Sequence, residues 1–475
     1  MKIKVFFYLV IFLTMAACGH NKRPGLSDKE LFVLKAPDTL RQETVELNEE
    51  TYVPPPGIKY NESRAIDPAN PPVVLDIANR KLNIKKFDLS DYYTKVRYIK
   101  LKHPMPPKEG NFLFDANYYV TYERGAMSAS GQNSKFQFSD DYIIAGDNYF
   151  GLHCYDKEGN FLYTIESNDF PKTYNISQNL ITYSMSDFKG FIGGISTIKN
   201  SCLYNFRENN KNFLCLYDLD RRERLFTRNC ESSVFFLNDN SIASYTYWPL
   251  NPNRIFLFTF NIKGDTLCRF QSYNFVPEMK KNSYVSPPSP NIYYYNGQLT
   301  VNQSLNDTVF RVVSPNRLVP VYILNFGSYK LDVQTALYGD QSQKLRTYTW
   351  EESNRYILFI YTQNYDCQNN RNNGSVKFFY SFYDKKSRQL YHFSEGTTMP
   401  EDHFFIENPI PDALPFILSS VEIEENQLRV CYSKRRLEDI IKNKGFASLS
   451  PEQQEKVKTL QSELDESEVL IMILE

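Results

Sequence analysis

Five histidines, His20, His103, His153, His392 and His403, are the first candidates for acid–base or metal chemistry. No two of them stand at the spacing that places a pair of imidazoles on one helix turn or one hairpin face, so no metal centre is expected. His153 and Cys154 are neighbours in an extended stretch. Successive strand residues point to opposite faces, so these two cannot act as a dyad, and His153 reads as a buried structural residue. A hydrolase elbow needs G-x-S-x-G, which the chain lacks. Gly193-Gly194 stands without the remainder of a phosphate loop. Asn369-Asn370-Arg371-Asn372-Asn373-Gly374 offers amide oxygens but not the spaced carboxylates of a calcium loop, and reads as a hairpin loop. No catalytic residue, metal or cofactor is assigned.

The cysteines separate into one with a processing signal and seven without. Lys2 and Lys4 precede an apolar run from Val5 to Leu13, too short to span a bilayer. Met15-Ala16-Ala17-Cys18 then has the form of a lipoprotein signal-peptidase site, so residues 1–18 are a removable targeting segment and Cys18 the lipidated residue. Cys154, Cys202, Cys215, Cys230, Cys268, Cys367 and Cys431 are scattered, without a C-x-x-C pair. They read as small buried hydrophobes rather than a disulfide framework, although an exported chain could form one or two disulfides.

From Gly19 to about residue 80 the sequence is polar, with Pro54-Pro55-Pro56-Gly57, Pro68 and Pro71-Pro72, and has little to bury. It reads as a flexible tether with a reach of roughly 40 Å. Asp38-Thr39-Leu40 inside it, like Asp265-Thr266-Leu267 and Asp307-Thr308-Val309, has the Asp-Thr-aliphatic form that Bacteroidetes O-glycosylate. Thr39 is the candidate acceptor; the other two read as turns leading into strands.

What must position any site is a repeat of short strands. Asp141 to Ile165 gives Tyr142–Ile144, Leu152–Tyr155 and Phe161–Ile165, broken by Gly146-Asp147-Asn148 and by Asp156-Lys157-Glu158-Gly159-Asn160, where Gly159 suits φ > 0. Similar groups follow: from about Leu180 to Thr227, from Val234 to Phe270, from Ile292 to Phe326, and from Tyr348 to Phe393. A sixth group, Phe416–Ile423, Leu428–Tyr432 and Val469–Leu474, is one strand short, and the orphan strand Lys95–Leu101 supplies it. The expected fold is all-β: a six-bladed β-propeller over residues 88–475, closed by pairing 95–101 with the C-terminal blade. Two stacked β-sandwiches are the alternative. Within the last group, residues 434–465 change period. Leu437, Ile440 and Ile441 have helical spacing ending at Gly445, and Ser450-Pro451-Glu452-Gln453 signals a second helix start. A helical hairpin is expected there, as a lid on the rim.

With 475 residues the chain is too long for one ordinary core, which fits radial repetition. A net charge of −1 gives no field to draw nucleic acid, so none is expected as partner. The 15% aromatic content, 35 Tyr and 35 Phe, suits strands and also ring-stacking surfaces.

Four stretches resemble the six-bladed β-propeller lipoproteins of Bacteroidetes, TolB-like or NHL-like in fold. They are Asp88-Leu89-Ser90-Asp91-Tyr92 with Val96–Leu101; Asp141–Ile144 with Tyr155–Gly159; Asp307–Phe310 with Leu324–Gly327; and Glu468–Leu474. The Gly-Pro-rich turn common after the first blade is replaced by Ser167-Asn168-Asp169-Phe170. The resemblance implies fold and export rather than one activity. The functional expectation is a cell-envelope module, held to the membrane by its N-terminal lipid, that binds a glycan or protein partner, as in nutrient capture. A polysaccharide lyase or hydrolase is the alternative. Tyr247 and Trp248 are the candidate ligand-stacking residues, on a face where the long connections gather; the tether is expected to leave the opposite face. Gly19-His20-Asn21-Lys22-Arg23 lacks the acidic residues linked to surface export, so the periplasmic side of the outer membrane is expected over the cell surface. Cys18→Ala should move the protein from the membrane to the soluble fraction; continued membrane association would show that Cys18 is not the anchor.

Overall fold

The computed structural model describes residues 69–78, 83–104, 136–147, 151–167, 189–209, 211–229, 233–245, 255–272, 290–303, 305–365, 376–393, 405–417, 421–424 and 426–475. Alternation of apolar and polar residues is translated into six antiparallel sheets of the propeller type. Blade 1 is Phe136–Phe138, Tyr142–Asp147, Gly151–Asp156 and Phe161–Ser167. Blade 2 is Gly190–Ile198, Ser201–Glu208, Lys211–Asp218 and Glu223–Asn229; Leu180, from which this group was counted, lies outside the described residues. Blade 3 is Ser233–Asn238, Ser241–Tyr245, Ile255–Asn261 and Thr266–Gln271. Blade 4 is Asn291–Tyr295, Gln298–Asn302, Thr308–Ser314 and Arg317–Asn325. Blade 5 is Leu345–Glu352, Tyr356–Gln363, Lys377–Asp384 and Gln389–His392. In blade 6, Val421–Glu424, Gln427–Tyr432 and Glu468–Leu474 are completed by Val96–Lys102. The ring is closed as expected, with Val96 opposite Leu474 and Lys102 opposite Glu468.

The closing strand explains why its sequence is almost wholly apolar. Val469, Ile471 and Ile473 pack with Ile143, Ala145 and Tyr155 of blade 1. Leu470, Met472 and Leu474 point the other way, into the cluster shared with blade 5. A strand buried on both faces cannot alternate with polar residues. The blade 1 turn locks onto the same region. Asp156 Oδ1 accepts from the Glu158 and Asn160 amides at 3.1 and 2.8 Å. Gly159 has φ +92°, and a Cβ there would sit 2.4 Å from the Lys100 carbonyl oxygen.

The helical interruption of blade 6 is present. Helix α1 (Val333–Tyr338) lies in the connection from blade 4 to blade 5; α2 (Lys434–Lys442) and α3 (Pro451–Glu463) lie between the second and third strands of blade 6. Ser450 caps α3 by accepting from the Gln453 amide, with Pro451 in its first turn. Helix α2 ends at Lys442, before Gly445, because Asn443 is extended (φ −69°, ψ 140°) and caps the Gly445 amide. Leu437, Ile440, Val457 and Leu464 are buried against blades 5 and 6, so the helices use their apolar stripe inward as a lid.

Two segments depart from expectation. Phe416–Ile417, read as the start of the sixth group's first strand, pairs with Phe405–Ile406 in a separate two-stranded sheet, and blade 6 begins at Val421. Val73–Asp76, inside the span read as tether, forms a fifth strand parallel to the outermost strand of blade 4, with Val73 opposite Tyr322 and Asp76 opposite Asn325. The chain then bridges Ile84 to His392 at the edge of blade 5. Phe87, Leu89, Tyr92 and Tyr93 fill the seam beyond it, where Tyr92 Oη donates to Asp384 at 3.1 Å. The sequence of Val73-Val74-Leu75 is short and follows prolines, so its pairing rests on the available edge of blade 4 rather than on a local pattern.

Antiparallel order sends alternate connections to opposite faces. Among the described strands, no connection on one face exceeds four residues, whether between inner strands (139–141, 239–240, 353–355) or outer ones (157–160, 262–265, 385–388). Every longer connection, including 326–344, 393–420 and the helical 433–467, belongs to the other face. The Glu475 terminus and the start of Val96–Lys102 lie on the tight-turn face, as expected. Val73–Asp76 and Ile84 lie instead on the outer edges of blades 4 and 5, so the described chain preceding Val96 runs along the outer wall and not on the tight-turn face. Deleting Lys95–Leu101 should leave Glu468–Leu474 as an open apolar edge and give an aggregating protein. A monomer with unchanged melting temperature would contradict this assignment of closure.

Candidate functional site

The two mouths of the propeller differ in how their polar groups are satisfied. At the tight-turn end the innermost strands are stitched together. Tyr294 of blade 4 reaches Ser196 of blade 2, with the hydroxyls 2.8 Å apart, and donates to the Phe236 carbonyl of blade 3 at 2.8 Å. The Phe236 amide donates to Ser196 Oγ, and Thr197 Oγ1 donates to the Phe138 carbonyl of blade 1. Between blades 5 and 6 the Ile423 amide donates to Glu351 Oε2 at 3.3 Å. These bonds join neighbouring blades and also link blade 4 to blade 2, past blade 3. On the same face Asn238, Asp239, Asn240, Ser241, Asn261, Leu267 and Pro315 line a cavity of about 490 Å³.

A buried ionic seam joins blades 4 and 5. Glu352 is fully buried and accepts from Tyr293 Oη (2.9 Å), Arg311 Nη2 (2.7 Å), Tyr322 Oη (2.6 Å) and Lys385 Nζ (2.8 Å). Both cations also stand over the Tyr295 ring, at 4.3 and 4.2 Å from its centre. Burial, and the adjacent Glu352 carboxylate, push the Tyr293 and Tyr322 phenols well above their ordinary range. These groups therefore stay neutral donors. A carboxylate with four donors is a structural strut; removing it would strand two cations at a cost of about 3–5 kcal/mol. A lesser version joins blades 1 and 2, where Arg224 and Tyr204 meet Glu166.

The long-loop end is different. Arg346, second residue of the innermost strand of blade 5, is only 3% exposed. Its guanidinium lies 3.5 Å from the centre of the Tyr365 ring and 5.8 Å from that of Tyr348. Neither Nε nor Nη1 has a hydrogen-bond partner among the described residues. Directly across the strand pair is Thr362, fully buried, with its hydroxyl equally unpartnered. Opposed residues of an antiparallel pair share a face. Tyr365 packs against both the blade 5–6 cluster and the small cluster formed by Leu305, Leu331, Val333, Ala336 and Leu337, so α1 holds it.

Cys18, Thr39, Tyr247 and Trp248 lie outside the described residues, as do Asn369–Gly374 and Cys230 and Cys367. Thr266 is buried at the start of its strand, and Thr308 donates to Asp307 at the start of another, both in the turn-to-strand role expected of them. Cys154, Cys202 and Cys215 pack in one apolar cluster; burial raises the Cys154 thiol to about 11. His153 points away from Cys154, as alternation requires, and its ring meets that of His103 edge-on at 4.7 Å. His153 Nδ1 lies 3.1 Å from Thr164 Oγ1. Among the described residues no three His, Cys, Asp or Glu side chains come together as a metal set. Arg346 was the missed residue. Its signal was a charge at the same parity as Tyr348 and Trp350, positions a strand reserves for burial.

A family model, a domain of unknown function (DUF4933), matches residues 55–443. A search of curated proteins finds no match. Among solved structures the chain is similar to a Bacteroides fragilis protein named as exported, at TM-score 0.49 and 13% identity, covering 84% of this chain and 98% of that one. It is similar to the β-propeller domain of Myceliophteria thermophila Swd1, at TM-score 0.31 and 10% identity over 73% and 97% of the two chains. BamB from Moraxella catarrhalis gives TM-score 0.32 and 10% identity over 62% and 85%. Likenesses of this size carry nothing about activity. No helix among the described residues is long and apolar enough to cross a membrane.

The histidines make stability pH-dependent. Burial holds His153 down to about 3 and His392 to about 4, against 6.5 unperturbed. Below pH 6.5 the unfolded chain takes up protons that the folded one refuses, so stability is full above that value and falls on acidification. At pH 5 His153 alone should cost about 2 kcal/mol. Thermal unfolding from pH 7.5 to 4.5 checks this; His153→Gln should flatten the slope, and an unchanged slope would contradict it.

Proposed function

We propose that this chain, which belongs to the DUF4933 family, is a lipid-anchored binding module of the cell envelope that presents its long-loop face to a protein or glycan partner. The observation that supports this best is the asymmetry of the propeller's connections. One face carries only tight turns and hydrogen-bonded seams; the other carries every long connection and the helical insertion. Rigid frames with variable loops on one side are the usual support for recognition surfaces. The tight-turn face is already occupied by bonds between blades, which leaves the loop face to vary. Cys18 is the anchoring residue in this reading, and the tether lets the propeller stand off the membrane. Thr39 is its glycosylation site, and Tyr247 and Trp248 are stacking residues on the loop between the second and third strands of blade 3. The periplasmic side of the outer membrane is the expected location.

A soluble form for testing must begin no later than Ala69, since Val73–Asp76 covers the edge of blade 4. Such a form should capture a partner from envelope extracts or a glycan array. Replacing both Tyr247 and Trp248 by Ala should weaken capture at least tenfold, the scale of losing two stacking rings. Capture that survives removal of the loop-face residues, or that maps to the tight turns, would refute the assignment of the working face.

A further inference from the structure

We infer that Arg346 and Thr362 form a binding site for an oxyanion, a carboxylate or phosphate group, at the long-loop end of the seam between blades 5 and 6. The argument starts from charge. A guanidinium does not discharge in a protein. Burying one without a counter-ion costs several kcal/mol, which two aromatic faces offset only in part. Elsewhere this fold solves the problem with carboxylates: Arg311 has Glu352, Arg224 has Glu166 and Arg429 has Glu424. Among the described residues Arg346, at 3% exposure, has only the rings of Tyr365 and Tyr348, and two of its nitrogens make no hydrogen bond. Beside it the Thr362 hydroxyl is likewise buried and unmatched. Two adjacent strands thus present unmet hydrogen-bonding groups on one face of one sheet. An oxyanion accepts from both and supplies the missing charge.

The position suits a ligand. Arg346 is the second residue of the innermost strand and Thr362 stands one residue before the end of the next, so both are at the loop-face rim. Tyr365 stacks on the guanidinium plane and leaves its edges for hydrogen bonds. Tyr365 packs against Val333 and Leu337 of helix α1 and the preceding Leu331, in one cluster. The site deepens the binding-module reading by giving the ligand's chemical class, and it rests on that reading only in placing the ligand at the loop face.

The test is thermal unfolding of the full chain in detergent, with sodium phosphate or sodium acetate titrated against sodium chloride at constant ionic strength. The melting temperature should rise by equal steps per decade of one oxyanion once its dissociation constant is passed, and not with chloride. A response to phosphate alone assigns a phosphate-bearing ligand, and one to acetate alone a carboxylate. Arg346→Met should fold at least as stably in chloride and lose the rise. Thr362→Val should weaken the apparent affinity about tenfold, and it carries the comparison if the methionine variant does not fold. The inference falls if neither oxyanion outperforms chloride on the wild-type protein, or if both variants keep the full rise. Partner capture that persists in Arg346→Met alongside a flat anion titration would remove this site while leaving the binding-module reading intact.

Discussion

The structure depends on closure of a circle. Six sheets arranged around an axis are held as a ring only if one blade draws strands from both ends of the propeller; without that, Glu468–Leu474 would be left with an unpaired edge. Here Val96–Lys102 pairs along the whole of Glu468–Leu474. That strand is buried on both faces, sending Val469, Ile471 and Ile473 to blade 1 and Leu470, Met472 and Leu474 to blade 5. The sixth blade is therefore the one through which the first and fifth are held in place. Pairing residues nearly the full length of the chain apart costs closure entropy, but that cost grows only slowly with loop length.

Apolar packing alone does not fix which blade sits beside which, and polar groups buried between blades supply part of that choice. Glu352 binds three donors of blade 4 from its place on blade 5. Glu166 binds two donors of blade 2 from its place on blade 1. Tyr294 of blade 4 reaches both blade 3 and blade 2. Each of these groups would be left desolvated and unpaired in a shifted arrangement, so the penalty for misassembly is large even where the net gain of the pair is small. Arg346 stands against this background: a buried cation with no counter-charge among the described residues.

The N-terminal segment adds a second fastening. Val73–Asp76 extends blade 4, Ile84 touches blade 5, and Phe87 to Tyr93 wedge into the seam before the chain enters blade 6. The result is a belt over the outer edges of three consecutive blades, the same three that carry Glu352, Arg346 and the helical lid. This half of the ring is thereby built as a more continuous body than the strand count of each blade suggests.

The sequence by itself determined the blade periodicity, the short sixth group with its orphan partner at Lys95–Leu101, and the helical change of period at 434–465. These are local patterns, with period two in strands, 3.6 in helices, and turn residues such as Gly159 and Pro451 that a single stretch of chain must obey. Legible for the same reason were the opposite orientations of His153 and Cys154, and the sorting of long and short connections onto two faces. Tertiary structure alone decided what meets across blades. Val73–Asp76 is a strand because blade 4 offers an edge, which its prolines and polar neighbours do not announce. Alternation puts Arg346, Tyr348 and Trp350 on one face, but a bulge between Thr347 and Thr349 sends Trp350 to the blade 4 side and leaves Arg346 and Tyr348 facing blade 6. Whether an inward-facing arginine finds a glutamate, as Arg311 does, or only two rings, as Arg346 does, depends on residues distant in the chain, and no spacing rule within one strand contains that information.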